Sequence, residues 1–275
     1  MNMRFCVLAS GSKGNAVWIE AGGEAVLVDA GLPGRELIRR MTLAGLEPDR
    51  LKAILVTHEH RDHILGVGVL ARRLGLPVYI NEAALDRSRP IIGDIKPRLF
   101  STGTDFAVGE LQVHPFSLSH DAADPIGLTF ERNGTKLGLA TDLGTVTNLV
   151  RERLSGCRAL ILEANYDDQM LTEGPYPWET KRRVRGRRGH LSNENAAELL
   201  ADVAHAGLIK VVLAHLSQTN NIADLALQCL GQRLKAEGWG WADDNTYTPP
   251  ASGLRPPGLK LEAADQNAPG KVTKI

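Results

Sequence analysis

The amino-acid sequence predicts an α/β fold in which two mixed β-sheets are covered by helices on the outside. The main observation is a long series of short apolar runs, separated by turn-forming residues, that predict strands. Segments with helical spacing stand between these runs, so helices are available to cover the sheets. The chain has 275 residues, of which 43% are apolar, and this is enough to bury one large core.

The predicted elements begin with three strands, between which residues 11–15 and 22–23 form turns. Pro33 suits the first position of a helix, and Ser192 or Asn193 suits the N-cap of a later one. The predicted strands cover residues 5–9, 16–20, 25–29, 52–56, 78–80, 106–108, 111–119, 126–131, 136–141, 159–163 and 211–214. The predicted helices cover residues 33–44, 64–74, 146–154, 193–203 and 222–237.

The composition changes near residue 248, and this predicts a boundary. Residues 1–247 show no internal repeat and predict one domain. Residues 248–275 are rich in proline and glycine and contain few large apolar side chains. We expect this segment to be a flexible tail, because it cannot bury enough apolar surface to order itself.

Charge and cysteine content indicate an ordinary cytoplasmic protein. The formal net charge is zero, so any attraction to a polyanion must come from a local patch. Cys6, Cys157 and Cys229 are far apart and lack Cys-x-x-Cys spacing, which favours reduced thiols over a disulfide framework. The start of the chain is too short and polar for a signal peptide, and no run approaches about 18 apolar residues, so no membrane segment is expected.

Residues 57–63, Thr-His-Glu-His-Arg-Asp-His, are the most informative motif, and we call them the histidine loop. They follow a predicted buried strand. A strand that ends in a turn presents His58 and His60 in one direction and brings Asp62 and His63 alongside. Nitrogen and oxygen donors of this kind suit Zn²⁺ or Mn²⁺. The alternative is a histidine-rich surface loop, although such loops rarely follow a buried strand.

Three more candidate ligands, His120, Asp142 and His215, stand directly after predicted strands. In mixed α/β folds, ligands bind outside the carboxyl ends of the strands. Taken alone, each histidine is more often a hydrogen-bonded structural residue, and Asp142 is more often a turn former or helix cap. Together with the histidine loop they provide enough donors for two metal ions that share one carboxylate.

This pattern of His-x-His-x-Asp-His after a strand, followed by separate His, Asp and His, resembles the metallo-β-lactamase fold family over about residues 4–245. The resemblance implies an αββα four-layer sandwich of two mixed β-sheets and a hydrolase with two divalent ions, zinc first and manganese as the alternative. It implies that one ion is held by His58, His60 and His120 and the other by Asp62, His63 and His215, with Asp142 bridging.

The same resemblance implies that hydroxide generated by the ions attacks the substrate, with Asp62 counted among the catalytic residues. It also implies that Asp29, at the end of the third predicted strand, steadies the histidine loop. The alternative role for Asp29 is that of an N-cap for the helix predicted over residues 33–44.

Further features favour phosphate esters as substrates. Glu163 ends a strand and His190 stands just before a helix, as in nucleases of this fold such as tRNase Z. By that resemblance Glu163 orients His190, which acts as the general acid for the departing alkoxide. The alternative for His190 is a hydrogen bond at the start of the helix.

Residues 181–188, which we call the basic run, contain six cations in eight residues. These side chains either bind the phosphates of a nucleic acid or form a solvated face. The candidate phosphate contacts are Arg182, Arg183, Arg187 and Arg188. Tyr176 and Trp178 stand just before this run and either stack on bases or serve as packing anchors.

A more extended similarity favours one subfamily. Ala-Ser-Gly-Ser-Lys-Gly-Asn, Glu-Ala-Asn-Tyr-Asp, Gly-His-Leu-Ser-Asn and His-Leu-Ser-Gln-Thr-Asn-Asn resemble the YycJ/WalJ subfamily, which is regarded as metal-dependent 5′-to-3′ DNA exonucleases. The resemblance implies a nucleic acid as substrate, DNA before RNA. It also implies that Ser12 and Asn15 lie near the site and that Ser217 and Asn220 donate to a phosphate; turn formation and helix capping are the alternatives for all four.

Two other functions stay open at this point. One is the hydrolysis of a small ester by a cyclic phosphodiesterase or lactonase. The other is a regulatory binding module that has kept the fold without turnover. The binding module requires broken ligands, and no ligand of the family pattern is missing from the sequence.

Overall fold

The computed structural model describes residues 3–250 and 258–275. The strands are β1 (Met3–Ala9), β2 (Ala16–Ala21), β3 (Glu24–Val28), β4 (Leu51–Leu55), β5 (Pro77–Ile80), β6 (Lys96–Leu99), β7 (Phe106–Val108), β8 (Leu111–Ser117), β9 (Ile126–Arg132), β10 (Thr135–Ala140), β11 (Ala159–Glu163), β12 (Lys210–Ala214), β13 (Gly240–Trp241), β14 (Thr246–Thr248), β15 (Leu259–Ala263) and β16 (Thr273–Lys274).

The helices are α1 (Gly34–Leu43), α2 (Arg61–Ile64), α3 (Val67–Leu74), α4 (Glu82–Ile92), α5 (Asn148–Leu154), α6 (Asp168–Glu173), α7 (Trp178–Val184), α8 (Asn193–Val203) and α9 (Ala223–Ala236). The described strands form two mixed sheets, of seven and nine strands, which confirms the predicted fold class. By its contacts the chain divides into unit 1, which is Met1–Ser117, Ala122–Thr135 and Ala264–Ile275, and unit 2, which is Leu118–Asp121 and Lys136–Ala263.

Unit 1 contains the seven-stranded sheet, in the order β16-β1-β2-β3-β4-β5-β6, and the antiparallel strands β7, β8 and β9 of the other sheet. Leu37 and Met41, one helical turn apart on α1, are fully buried in the same apolar cluster as Trp18 and Leu27 of the sheet. Burial contributes about 1.5–3 kcal/mol for a side chain of this size. This packing holds β3 and the parallel strand β4, from whose ends Asp29 and the histidine loop emerge.

Unit 2 contains the remaining strands, in the order β13-β14-β15-β12-β11-β10, with β10 counted from its second residue. Strands β10, β11, β12 and β15 are parallel, and every residue of β11 and β12 is buried. Because parallel strands end at the same edge, Asp142, Glu163 and His215 are carried to one edge of this sheet.

The expectation of a flexible tail is wrong for residues 258–275. Strand β15 pairs with β12, and β16 pairs with β1. Gln266 is buried: its Oε1 accepts from the Lys13 backbone N–H at 3.0 Å, and its Nε2 donates to the Gly14 carbonyl at 3.3 Å. The segment orders itself because it completes sheets whose cores are built by other residues, a possibility that composition does not reveal. The part of the predicted tail over residues 251–257 lies outside the described residues, and the domain boundary at residue 247 stays a prediction.

The cysteines are free thiols, as predicted, and Cys6 and Cys157 are buried. Burial raises the pKa of the Cys6 thiol to about 12, so this sulfur stays protonated and unreactive at neutral pH. In the part of the chain that the structure describes, no helix has the length and apolar character that crossing a membrane requires. Location in the cytoplasm stays a prediction.

Candidate metal centre

The histidine loop leaves the end of β4 and turns into the single-turn helix α2, whose N-cap is His60. Nε2 of His58 lies 3.2 Å from Nδ1 of His60, and the His58 ring centroid lies 4.1 Å from that of His63. Oδ2 of Asp62 lies 3.6 Å from Nε2 of His63. The four donors of the loop are therefore close together, and His58 and His63 are buried, which excludes the alternative of an ordinary surface loop.

Asp29 fixes the orientation of the loop. Its Oδ1 accepts from the Thr57 backbone N–H at 2.9 Å, and its Oδ2 accepts from the Thr57 hydroxyl at 2.8 Å. The same Oδ2 lies 2.8 Å from Nδ1 of His63, so this nitrogen carries the proton and Nε2 keeps its lone pair. Because the N-cap of α1 is Pro33, the alternative of Asp29 as a helix cap does not hold.

We expect Asp29→Asn to weaken divalent-metal binding by about 10- to 100-fold, since the amide nitrogen cannot accept from His63 and Thr57 as Oδ2 does. Asparagine tolerates the left-handed backbone of this position (φ 58°), so the fold should persist. Competition with a chromogenic chelator measures the affinity, and exposed Asp86→Asn is the matched control. Unchanged affinity in a folded Asp29→Asn protein would remove Asp29 from this role.

In unit 2 the strand-end candidates have an unusual backbone. Asp142 and His215 adopt positive φ angles of 63° and 56°. Non-glycine residues pay about 1–2 kcal/mol for this conformation, and such strain concentrates at functional sites. Both side chains are buried, and Oδ1 of Asp142 lies 3.5 Å from Nδ1 of His215.

Glu163, at the end of β11, lies at the centre of this cluster. Its Oε1 lies 2.8 Å from Nδ1 of His190 and 3.1 Å from Nδ1 of His215, and its Oε2 accepts from the backbone N–H groups of Leu143 and Leu191. Burial raises the pKa of Glu163, but the charge of His190 and the hydrogen bonds from both histidines outweigh burial and lower it to about 2. Because hydrogen bonds use its oxygens, Glu163 orients imidazoles and does not suit the role of metal ligand.

The surroundings of His120 suit the role of a metal ligand. Nδ1 lies 2.9 Å from the Gly189 carbonyl and donates to it, and Nε2 lies 3.7 Å from Oδ1 of Asp142. Burial is the main cause that lowers the pKa of His120, so the ring is neutral at pH 7. A neutral imidazole whose other nitrogen is held by a carbonyl is the usual form of a metal-bound histidine.

In each unit the donor side chains have the chemistry that suits divalent metal ions. Histidine rings in both units direct one nitrogen at a protein acceptor: Nδ1 of His63 at Asp29, Nδ1 of His120 at the Gly189 carbonyl and Nδ1 of His215 at Glu163. The 3.2 Å between Nε2 of His58 and Nδ1 of His60 is close to the edge of a tetrahedron of zinc–nitrogen bonds, about 3.3 Å. In unit 2, donor atoms of Asp142, Glu163, His190 and His215 all lie within 4.8 Å of one another.

The predicted substrate contacts occupy different surroundings. Asn15 is buried; its Oδ1 accepts from the Gly11 N–H, and its Nδ2 donates to Oδ2 of Asp62 at 3.2 Å. Ser12 lies exposed on the same loop. The Ser217 hydroxyl accepts from the Asn220 backbone N–H at 3.1 Å, as in the turn that was the structural alternative, and Asn220 is buried.

The predicted phosphate-binding arginines divide into two pairs. Arg183 donates to Oδ2 of Asp121 at 2.9 Å, and Nε of Arg188 donates to the carbonyl of His120 at 2.9 Å. These two therefore hold the loop that carries His120. Arg182 and Arg187 are exposed.

Sequence reasoning did not assign a role to Thr57 or Asn165. The Thr57 hydroxyl donates to Asp29 and lies 3.0 Å from Nδ1 of His58. Nδ2 of Asn165 donates to the His215 carbonyl at 2.7 Å. Asn165 follows β11 by two residues, so the strand-end rule that selected Glu163 was the available signal.

Comparisons with known proteins agree with this geometry. A sequence profile described as the beta-lactamase superfamily domain matches residues 24–215. The chain is 42% identical over 243 residues to exodeoxyribonuclease YycJ of Bacillus anthracis, a match that covers 87% of this chain and 92% of that protein. It is 36% identical over 231 residues to exodeoxyribonuclease WalJ of Streptococcus pneumoniae, over 82% of this chain and 86% of that protein.

Among solved structures, the metallo-β-lactamase fold protein YhfI of Bacillus subtilis has a TM-score of 0.70 at 14% identity. The match covers 98% of this chain and 99% of YhfI. At this identity, the likeness shows the fold.

Proposed function

Because the chain belongs to the metallo-β-lactamase superfamily and, within it, to the family of YycJ and WalJ, we propose that it is a dinuclear metal-dependent exonuclease that degrades duplex DNA from 5′ to 3′. The sequence similarity supports a nuclease, and the clusters of histidines and carboxylates support divalent metal as its cofactor.

We assign the ligands by the family pattern. His58, His60 and His120 would hold one ion and Asp62, His63 and His215 the other, and Asp142 would contribute to both. A set dominated by imidazole favours zinc, and the carboxylates leave manganese as the alternative. When bound, the two ions lower the pKa of the attacking water and neutralise charge on the phosphate.

The pair Glu163–His190 is the observation that carries the proposed reaction. A phosphodiester leaves an alkoxide that needs a proton, and His190 can provide it from Nε2, because Nδ1 is fixed 2.8 Å from Oε1 of Glu163. The His190 side chain keeps 12% of its surface exposed, whereas Glu163 is fully buried. Glu163 therefore positions the imidazole, and His190 is the group that contacts the substrate.

We expect the double substitution Arg182→Gln and Arg187→Gln to weaken DNA binding and to reduce the slope of log K against log salt by about 1 to 2. These side chains are exposed, whereas Arg183 and Arg188 hold the His120 loop and are left intact. Fluorescence anisotropy at several salt concentrations measures the slope.

The matched control is the double substitution Lys136→Gln and Arg158→Gln. It removes the same charge at the amino ends of β10 and β11, at the opposite strand ends from Asp142 and Glu163. Equal salt slopes for the two double variants would make the basic run a solvated face without a part in binding.

A nuclease assay with defined ends tests the proposed function. Duplex DNA labelled at either the 5′ or the 3′ end, single-stranded DNA and RNA are compared, with Zn²⁺, Mn²⁺ or Mg²⁺ added to metal-free protein. We expect the release of 5′ nucleotides from duplex DNA to be fastest.

Other outcomes would contradict parts of the proposal. Faster degradation of RNA would show that RNA is the substrate, and release of nucleotides from the 3′ end would show that degradation runs from 3′ to 5′. Faster turnover of bis-p-nitrophenyl phosphate or a lactone would favour the small-ester alternative. No turnover of any substrate, with metal bound, would favour the binding module.

A further inference from the structure

An exposed tryptophan begins helix α7. Trp178 leaves 71% of its surface accessible, whereas Tyr176, two residues earlier, packs against the buried cluster of Tyr166, Leu171 and Val184. Of the two aromatic residues before the basic run, Tyr176 is therefore the packing anchor. The fold of unit 2 gives Trp178 no such role, and a large aromatic surface faces solvent.

A cation shares the face of α7 on which Trp178 lies. Residues four apart on a helix are neighbours on its surface, so Arg182 stands beside Trp178, and both are exposed. Arg183 points elsewhere, because it donates to Asp121. The indole offers an apolar face on which a nucleobase can stack. The guanidinium beside it offers a positive charge that can bind a phosphate.

Helix α7 is fixed relative to His190. Nζ of Lys181 donates to the Thr172 carbonyl at 2.7 Å, Nε of Arg185 donates to Oδ1 of Asp168 at 2.8 Å, and the His190 N–H donates to the Val184 carbonyl at 2.9 Å. The helix runs from Trp178 to Val184, a length of about 10 Å.

We propose that Trp178 stacks on an unpaired nucleobase of the bound DNA strand near the phosphate that is cleaved, and that Arg182 binds the adjacent phosphate. This inference rests on the proposed nuclease function. An exonuclease encounters a different base after each nucleotide that it removes, so its binding site must accept any base. Stacking on an indole meets this need, because every base has a π-face whereas hydrogen-bonded readout selects among bases.

The test measures binding of a duplex with non-hydrolysable phosphorothioate linkages to the metal-loaded protein. We expect Trp178→Ala to bind about 5- to 150-fold more weakly than the natural chain. Trp178→Phe, which keeps an aromatic face, should recover most of the affinity. Trp241→Ala is the matched control, because Trp241 is another tryptophan of unit 2 and is 59% exposed.

A second measurement locates the stacked base. Abasic residues are placed singly at the first six nucleotides, and affinity is measured for the natural chain and for Trp178→Ala. At one of these positions the natural chain should lose affinity while Trp178→Ala loses none, since the interaction is already absent.

Equal affinity of Trp178→Ala and the natural chain, or equal abasic losses in both at every position, would overturn the stacking inference. A change in oligomeric state in Trp178→Ala, measured by light scattering, would also overturn it by assigning the indole to a contact between copies. Failure of the natural chain to bind or degrade DNA would instead overturn the proposed function.

Discussion

Removal of divalent metal with a chelator is expected to abolish phosphodiester hydrolysis, with a loss of about 10³-fold or more, and added Zn²⁺ or Mn²⁺ is expected to restore it. The physical reason is that the reaction needs water to be made a strong nucleophile at pH 7. Metal ions do so by lowering the pKa of bound water from about 15.7 to about 7, and they contribute several kcal/mol of charge stabilisation. Cys6 cannot replace this nucleophile, because its thiol is buried and its pKa is about 12.

A pair of histidine variants makes this prediction specific. His60→Ala removes a donor of the histidine loop and should lower both metal content, measured by plasma emission spectroscopy, and turnover. His205→Ala is the matched control, because His205 bonds the Cys157 carbonyl and lies outside the donor clusters. Full activity in protein shown to contain no metal would contradict the mechanism.

His190→Ala is expected to reduce DNA hydrolysis by about 10²- to 10⁴-fold, the usual contribution of general acid catalysis. Metal content should stay unchanged, because the imidazole is assigned to the leaving group and not to an ion. The prediction depends on the 2.8 Å contact between His190 and Glu163, which leaves Nε2 available.

The choice of substrate separates a general acid from a ligand. The p-nitrophenolate group of bis-p-nitrophenyl phosphate departs without a proton, so His190→Ala should impair this substrate much less than DNA. Equal losses on both substrates, or loss of metal from His190→Ala, would instead make His190 a metal ligand. The metal content of His190→Ala tests whether His190 is a ligand, since a donor atom of His190 lies within 4.8 Å of donor atoms of Asp142 and His215.

Much of the fold could be predicted because its strands are strongly apolar. Strands β2, β11 and β12 are buried along their whole length, and each is apolar except for one charged residue. Helix α4 was missed, because Pro90 lies within it and its polar residues obscure the helical spacing. Strand β6 was missed because all four of its residues are exposed and only Leu99 is apolar.

The C-terminal segment shows a different limit of prediction. Low apolar content correctly indicates that residues 258–275 cannot form a core alone. It does not reveal that β15 and β16 add to sheets that already exist, where backbone hydrogen bonds provide the stabilisation. Strand β16 lies at the edge of its sheet, and β15 lies between β12 and β14.

The sequence by itself determined which donor types are present and which strand ends carry them, because side-chain chemistry and hydrophobic period are local properties. Only the tertiary structure decided the partners: Asp29 with His63, Glu163 with His190, and Gln266 with the loop at Gly14, pairs that are 34, 27 and 252 residues apart. It also decided that Tyr176 packs against a buried cluster while Trp178 is exposed, although both follow a proline and precede the same basic run. Separation along the chain contains no information on such contacts, which depend on how the strands and helices pack.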